Sequence, residues 1–180
     1  MAWGGNWSGQ TDVPDGLRDV VQVAAGDYHS LALTRSGEVV AWGDKFNHQT
    51  KMPDGMQKVA YVAAGSLHAI VATTGGHVVA WGYNKDKQTN VPVELQDVVE
   101  VSAGMYHGLA LTKNGDVVAW GNNNYGQTGV PAGLRDVMAV AGYVHAQSGR
   151  RYVLVAIVNH PNANAARPVL DALTDWAAKD

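Results

Sequence analysis

Ala41-Trp42-Gly43 is the stretch that decides the fold, because this tripeptide occurs four times at intervals of 39 residues. The other copies are Ala2-Trp3-Gly4, Ala80-Trp81-Gly82 and Ala119-Trp120-Gly121. Self-similarity at a fixed period of this length indicates a repeat architecture, in which each unit buries its apolar face against its neighbours. The chain of 180 residues is therefore predicted to be an array of structural repeats.

Other residues keep the same register around each tripeptide. A Gln-Thr pair follows each tryptophan, starting at Gln10, Gln49, Gln88 and Gln127. A proline comes next, at Pro14, Pro53, Pro92 and Pro131, and then a valine, at Val20, Val59, Val98 and Val137. Three units also carry a glycine with a histidine three residues later, at Gly26 and His29, Gly65 and His68, and Gly104 and His107.

Each unit is predicted to form three short strands and one long loop. In the first unit, residues 20–25, 30–34 and 39–42 are apolar and rich in β-branched side chains. Gly37 lies between the last two stretches, where a hairpin turn needs a positive φ. Strand triplets that recur with turns at this spacing are typical of the blades of a β-propeller. The fold class is therefore mainly β, a partial propeller with three full blades.

The fourth unit departs from the pattern. Its turn arrives early, at residues 147–150, and the strand predicted over 151–158 does not end in Ala-Trp-Gly. Apolar residues then recur at helical spacing from Ala166 to Ala177. We therefore predict propeller-type repeats over 1–136, with a divergent fourth blade that begins a β-hairpin and one C-terminal helix over 137–180.

Two resemblances extend this interpretation. The pattern Val-Ala-Ala-Gly-x-x-His-Ser-Leu-Ala-Leu, followed by Gly-x-Val-x-Ala-Trp-Gly, resembles the repeat of the regulator of chromosome condensation family. The loop Ala-Trp-Gly-x-Asn-x-x-Gly-Gln-Thr-x-Val-Pro is similar to that of the propeller-type β-lactamase inhibitory proteins. The resemblance implies a propeller, usually of seven blades, and this chain has fewer repeats than that.

The tail has a resemblance of its own. Residues 134–144, then 148–152 and Asn159-His160-Pro161-Asn162, resemble the C-terminal end of the D-alanyl-D-alanine carboxypeptidase branch of penicillin-binding proteins. The two patterns meet near residues 133–137, which indicates a natural or engineered chimera. An ordinary diverged last repeat is the alternative.

Several classes of function are disfavoured by the sequence. No serine has a lysine three residues later, and Lys-Thr-Gly is absent, so penicillin-type chemistry has no nucleophile–base pair and the protein is predicted not to be an enzyme. A net charge of −3 makes nucleic acid an unexpected partner. No apolar stretch reaches the ~20 residues that span a bilayer. No cofactor is expected.

Localisation stays open at this stage. No signal peptide precedes the first tripeptide, and the chain begins in the middle of a repeat, so we expect that a leader or earlier repeats have been removed. The families that the chain resembles are exported bacterial proteins. The absence of cysteine is compatible with any compartment.

Two sets of repeated residues are predicted to be structural. The tryptophans of the tripeptides, which are Trp3, Trp42, Trp81 and Trp120, are expected to pack between blades with the indole N–H on a carbonyl group. His29, His68 and His107 share one position on three blades. Neutral imidazoles at such a position can bind a metal, but a ring hydrogen bond to the blade backbone is the expected role.

The variable loops carry the candidate binding residues. Trp7, Phe46, Tyr83 and Tyr125 lie in the loops that follow Ala-Trp-Gly, among polar residues. Tyr28, Met105 and Tyr106 lie in the other variable turn. Aromatic anchors in polar surroundings are typical of protein-binding hot spots. The alternative is that each aromatic side chain folds over its own loop.

The sequence as a whole favours a non-catalytic repeat scaffold that binds proteins. One alternative is an inhibitor-like module that binds β-lactamases or penicillin-binding proteins, and another is an inactive carboxypeptidase fragment. A partner is also predicted in a second copy of the chain, because an open array leaves two blade edges exposed. The two ways to cover these edges are a homodimeric ring and a four-bladed ring in one chain, in which Ala2-Trp3-Gly4 joins the strand at 151–158.

Overall fold

A computed structural model describes residues 1–134, 137–140, 144–145, 151–152 and 156–158 of the chain. In these residues the protein is mainly β, without a helix, and nine strands form three antiparallel sheets of three strands each. The three sheets are the predicted blades. Their strands are β1 Val20–Ala25, β2 His29–Thr34 and β3 Val39–Gly43; β4 Val59–Ala64, β5 His68–Thr73 and β6 Val78–Gly82; β7 Val98–Ala103, β8 His107–Thr112 and β9 Val117–Gly121.

The strands of each blade pair in chain order, and their register repeats from blade to blade. Val20 lies opposite Thr34 and Gln22 opposite Leu33, so one extra residue bulges from β1. The same shift occurs in β4 and β7. The hairpin between β2 and β3 turns at Gly37, which has a φ of 86°, as predicted from the sequence. A side chain at such a φ is strained, so glycine suits this turn.

The hydrophobic core lies between successive blades. Leu31 and Leu33 of the first blade pack against Val59, Val62 and Trp81 of the second. A second cluster joins Ile70 to the third blade in the same way, and a third joins Leu109 and Leu111 to Leu134 and Val137. Burial of apolar area against the next unit is thus what orders the array.

Each blade has an upstream face, toward the preceding unit, and a downstream face, toward the next. In the second and third blades the upstream face is buried, since Val62 is 2% exposed and Val101 is 5% exposed. The equivalent Val23 of the first blade is 69% exposed. Among the described residues no strand pairs with Ala2-Trp3-Gly4, so the four-bladed self-closure considered from the sequence is not seen in this part of the chain.

A fourth unit begins with β10, Val137–Val140, which pairs with β13, Ala156–Val158. Val137 lies opposite Val158 and Ala139 opposite Ile157, with the same bulge as in the first strands of the blades. Between them, β11, Val144–His145, pairs with β12, Arg151–Tyr152. Antiparallel strands thus flank the predicted hairpin turn, which itself lies outside the described residues, and β13 takes the register of a second strand. The predicted helix lies outside the described residues, and the boundary at residue 136 stays a prediction.

Both variable segments of a blade meet on one side of the array. The first residue after each third strand donates its N–H to a carbonyl in the turn between the first two strands. These bonds run from Asp44 to Tyr28 at 2.8 Å, from Tyr83 to Leu67 at 2.9 Å and from Asn122 to Tyr106 at 2.9 Å. We call this side the loop face. It comprises the loops at 44–50, 83–89 and 122–128 and the turns at 26–28, 65–67 and 104–106.

Candidate protein-binding site

The loops that precede the three blades are each held by a hydrogen bond from the tryptophan of the following blade. The indole Nε1 of Trp42 donates to the carbonyl oxygen of Gln10 at 2.9 Å, that of Trp81 to Gln49 at 2.8 Å and that of Trp120 to Gln88 at 2.9 Å. Donor and acceptor are 32 residues apart in every case. The bond therefore links one blade to the loop that precedes it.

The same glutamines also shape their own loops through their side chains. The Oε1 of Gln49 accepts a hydrogen bond from the N–H of Asn47 at 3.0 Å, and that of Gln88 accepts one from Asp86 at 3.0 Å. Gln49 and Gln88 are fully buried. This double role was not predicted from the sequence, although the fixed spacing between glutamine and tryptophan was the available signal.

Burial of the four tryptophans depends on this link. Trp81 and Trp120 are buried, and Trp42 is partly buried. Trp3 differs from the prediction that it packs between blades, because its side chain is 85% exposed. The physical reason is that no described strand pairs with Ala2-Trp3-Gly4, so the indole of Trp3 has neither apolar cover nor a glutamine carbonyl among the described residues.

The repeated histidines form a buried layer beside the repeated glycines. His29 and His68 are fully buried, and His107 is buried as well. A Cβ added at Gly26 would lie 2.6 Å from the Nδ1 of His29, so only glycine admits the ring at this distance. The ring nitrogens of His29 and His68 have no hydrogen-bond partner of normal geometry among the described residues, so the expected ring-to-backbone hydrogen bond stays a prediction.

Burial sets the protonation of two of these rings. It lowers the pKa of His29 from 6.5 to about 4, although Asp27 and Asp44 act in the opposite direction. Burial, together with repulsion from His107 and His29, lowers the pKa of His68 to about 3. The backbone of the next blade's histidine lies near both rings and attracts the protonated form more weakly. Both imidazoles are therefore neutral near pH 7.

The aromatic residues predicted to bind proteins lie on the loops but differ in exposure. Trp7 is 92% exposed and Phe46 is 85% exposed, at equivalent positions one repeat apart. Tyr125 is 53% exposed and Tyr28 is 41% exposed. Met105, in the turn of the third blade, is also exposed. The rings of Trp7 and Phe46 therefore do not fold over their own loops, and they are the most exposed of the set.

Tyr83 and Tyr106 are brought together from neighbouring blades. Both are partly buried, and their ring centroids lie 6.3 Å apart with an interplanar angle of 49°. Tilted pairs at this separation attract each other. They form one aromatic patch that joins the loop after the second blade to the turn of the third.

The loop that begins with Tyr83 lacks a side-chain hydrogen bond that two other loops make. The Nε2 of Gln49 donates to Asp44 at 3.1 Å, and that of Gln127 donates to Asn122 at 2.8 Å. Tyr83 takes the place of these acceptors in the second blade. The Nε2 of Gln88 is buried and has no hydrogen-bond partner among the described residues. An unsatisfied buried group of this kind costs about 1–3 kcal/mol, so Tyr83 is placed on the loop face at the expense of stability.

The described residues contain no cluster of side chains suited to a metal ion. No group of three or more His, Asp or Glu side chains in this part of the chain is arranged to hold a metal ion. Nor does this part contain a helix of the length and apolar character needed to cross a membrane. Asp27 has a structural partner instead, because its Oδ2 accepts a hydrogen bond from the Oγ of Ser66 in the next blade at 2.7 Å.

The geometry defines a β-propeller-type repeat protein, and comparisons identify the repeat. The family described as regulator of chromosome condensation (RCC1) repeat matches residues 20–49, 59–88 and 98–127, which make up half of the chain. The chain belongs to this family. A comparison with curated protein sequences finds no match.

Solved structures agree with this assignment. The ectodomain of the receptor kinase CR4 from Physcomitrella patens is 23% identical, with a TM-score of 0.63 over 77% of this chain and 40% of that one, and shows the fold alone. Prp20p from Saccharomyces cerevisiae is 25% identical, with a TM-score of 0.53 over 79% of this chain and 39% of that one. Yeast RCC1 (Prp20) bound to Kap60 is 25% identical, with a TM-score of 0.55 over 83% and 40%.

The chain spans about 40% of the length of these structures. The matches support the resemblance to the regulator of chromosome condensation repeat. They do not show the narrower resemblance to β-lactamase inhibitory proteins, nor that of the tail to carboxypeptidases. The chimeric origin gains no support from them either.

Replacement of Trp81 tests the link between blades. Trp81→Ala removes a buried indole and its hydrogen bond to Gln49, so we expect the free energy of unfolding to fall by about 3–5 kcal/mol in urea denaturation. Trp7→Ala, which removes an exposed indole, is the control and should change it by less than about 0.5 kcal/mol. A loss below about 1 kcal/mol for Trp81→Ala would contradict the packing described here.

The buried histidines predict a dependence of stability on pH. Because the native pKa of His68 is lowered, the unfolded chain takes up a proton first as the pH falls below 6.5, and the native state is destabilised down to about pH 3. This histidine should contribute up to about 1.4 kcal/mol per pH unit. In urea titrations between pH 6 and 4.5, His68→Gln should therefore show a shallower decline than the wild type. The control is His77→Gln, because His77 is exposed. If the free energy of unfolding falls with pH at the same slope in His68→Gln as in the wild type, the assignment to His68 is wrong.

Proposed function

We propose that this protein is a non-catalytic RCC1-repeat scaffold that binds other proteins through the aromatic residues of its loop face. The observation that carries the proposal is Tyr83. The second blade gives up the hydrogen bond of a buried amide, that of Gln88, and presents an aromatic ring on the loop face instead. Departures of this kind from a well-satisfied structure are expected at functional sites.

The construction of the loops supports the same role. The backbone of the loop at 44–50 is fixed by the buried side chain of Gln49 and by the Trp81 bond, while Phe46 extends into solvent. Rigid aromatic side chains contribute large contact areas at low entropic cost, which favours protein recognition. Asp44, Asp86 and Lys85 provide a polar surround in the sequence of these loops.

Two structural relatives are described together with protein partners. Prp20p from Saccharomyces cerevisiae has binding properties toward Gsp1p and histones, and yeast RCC1 (Prp20) has been solved bound to Kap60. These partners are those of the yeast protein. What we infer for this chain is the class of partner, a protein. Inhibition of β-lactamases and an origin as an inactive carboxypeptidase fragment are not supported by the comparisons. Homodimerisation, also predicted from the sequence, concerns a different surface, the upstream face of the first blade.

Tyr83→Asn tests whether the aromatic patch serves binding or folding. The equivalent position in the third blade is Asn122, whose Oδ1 accepts a hydrogen bond from the Nε2 of Gln127 at 2.8 Å. The variant should therefore keep or raise the free energy of unfolding, because Gln88 regains a partner, and it should weaken binding. Proteins captured from a cell extract by the immobilised chain are identified, and the affinity of a purified one is measured against Tyr83→Asn and the double variant Phe46→Ala/Tyr125→Ala.

We expect the double variant to weaken binding by more than about 2 kcal/mol without loss of stability. Val93→Ala is the matched control, because Val93 is 88% exposed but lies outside the loops of the loop face. Binding that survives in both the double variant and Tyr83→Asn would place the interface elsewhere. A fall in stability for Tyr83→Asn would mean that the tyrosine pair serves the fold.

A further inference from the structure

The basic side chains of the loop face are concentrated on two of its loops. Three lysines and one histidine are exposed there, namely Lys45, His48, Lys85 and Lys87. The loop at 122–128 contains no lysine, arginine or histidine, and neither do the three turns of this face. Positive charge is therefore confined to the loops after the first and second blades, which also carry Phe46 and Tyr83.

The carboxylates of the loop face are engaged in hydrogen bonds within it. Asp44 is half-buried and accepts two bonds from its own loop, at 2.9 and 3.1 Å. The Oδ1 of Asp86, which is also half-buried, accepts one from the Nδ2 of Asn122 at 2.6 Å. The Oδ2 of Asp27 accepts one from the Oγ of Ser66 at 2.7 Å. These bonds hold the carboxylates against the protein while the lysines are exposed, so the two loops present positive charge outward.

Two of the basic residues have a backbone conformation that favours glycine. His48 and Lys87 both have a φ of 62°, whereas the equivalent residues before the first blade and after the third are Gly9 and Gly126, with φ values of 75° and 78°. A residue other than glycine at such a φ is strained, and strained residues cluster at ligand-binding positions. Basic side chains at these two positions therefore come at the expense of stability, which points to a role in binding.

We infer that the loop face binds an acidic segment of its protein partner, whose carboxylates pair with the ammonium groups of Lys45, Lys85 and Lys87. This inference rests on the proposed function and adds the chemistry of the partner. A nucleic acid carries a phosphate on every nucleotide and is disfavoured by the net charge of −3. A protein segment, by contrast, can confine its negative charge to the residues that face the lysines.

The aromatic residues indicate a further property of this segment. Phe46 directly follows Lys45, and Tyr83 lies two residues before Lys85. Charged groups at the edge of an interface steer association and set specificity, while aromatic rings supply contact area. An acidic segment with an apolar or aromatic residue among its carboxylates has the chemistry that complements this arrangement.

A synthetic peptide of alternating glutamate and tyrosine, labelled for fluorescence anisotropy, is the probe for this inference. The variant Lys45→Gln/Lys85→Gln/Lys87→Gln should bind it about tenfold more weakly than the wild type, since each exposed ion pair contributes modestly. The difference should shrink as salt is raised, because exposed charges are screened. Circular dichroism should be unchanged, because all three side chains are exposed.

The matched control removes the same number of positive charges away from the loop face. Arg35→Gln/Lys58→Gln/Lys113→Gln alters three exposed residues outside its loops and turns and changes the net charge equally. Its affinity for the peptide should stay within about twofold of the wild type. Equal weakening in both triple variants would overturn the inference, because the peptide would then respond to net charge alone.

A single substitution tests the strained position. Lys87→Gly introduces the residue that suits the positive φ, so it should raise the free energy of unfolding in urea while weakening peptide binding by about twofold. Unchanged peptide affinity in this variant would contradict a binding role for Lys87.

Two further results would overturn the inference. One is the absence of measurable binding to the acidic peptide, and the other is tighter binding of a labelled oligothymidylate, which would assign the lysines to nucleic acid. Failure of the proposed function is seen separately, as retention of a captured protein by Tyr83→Asn and Phe46→Ala/Tyr125→Ala, because those variants leave all the lysines in place.

Discussion

The hydrogen bond from a tryptophan indole to the glutamine carbonyl of the preceding loop is the interaction on which the rest of the structure depends. It is short, between 2.8 and 2.9 Å, and two of the three donors are buried, so it forms where water does not compete. The indoles of Trp81 and Trp120 also belong to the apolar clusters that join one blade to the next. Because the acceptor is a loop residue, one bond fixes both the order of the blades and the position of the loop.

This constraint explains how a regular array can present an irregular surface. The glutamine side chain orders the loop from within, and the tryptophan holds it from the next blade, so the remaining loop positions are free to vary. Phe46 and Lys85 occupy equivalent positions on such loops. Tyr83 replaces a residue that elsewhere accepts a hydrogen bond from the loop glutamine. As a result, the buried amide of Gln88 has no partner among the described residues. The free-energy cost of this unpartnered amide therefore arises in the same loop that carries Tyr83 of the aromatic patch.

Much of the fold could be predicted from the sequence, because strand, turn and repeat signals are local. The strands and the positive φ of Gly37 follow from β-branched stretches and from a glycine between them. The exposure of Trp3 could not be predicted in this way, since burial depends on the neighbouring unit and not on the tripeptide itself. The contact between Tyr83 and Tyr106 was also out of reach, because it joins residues of different blades whose spacing is not part of the repeat.

Hydrogen exchange of the indole N–H groups, followed by nuclear magnetic resonance on the ¹⁵N-labelled chain, tests the central claim most directly. The N–H protons of Trp81 and Trp120 should exchange far more slowly than that of the exposed Trp7, because each is bonded to a glutamine carbonyl inside the array. Trp42, which is bonded but only partly buried, should lie between them. Exchange of Trp81 and Trp120 at the rate of Trp7 would contradict the account.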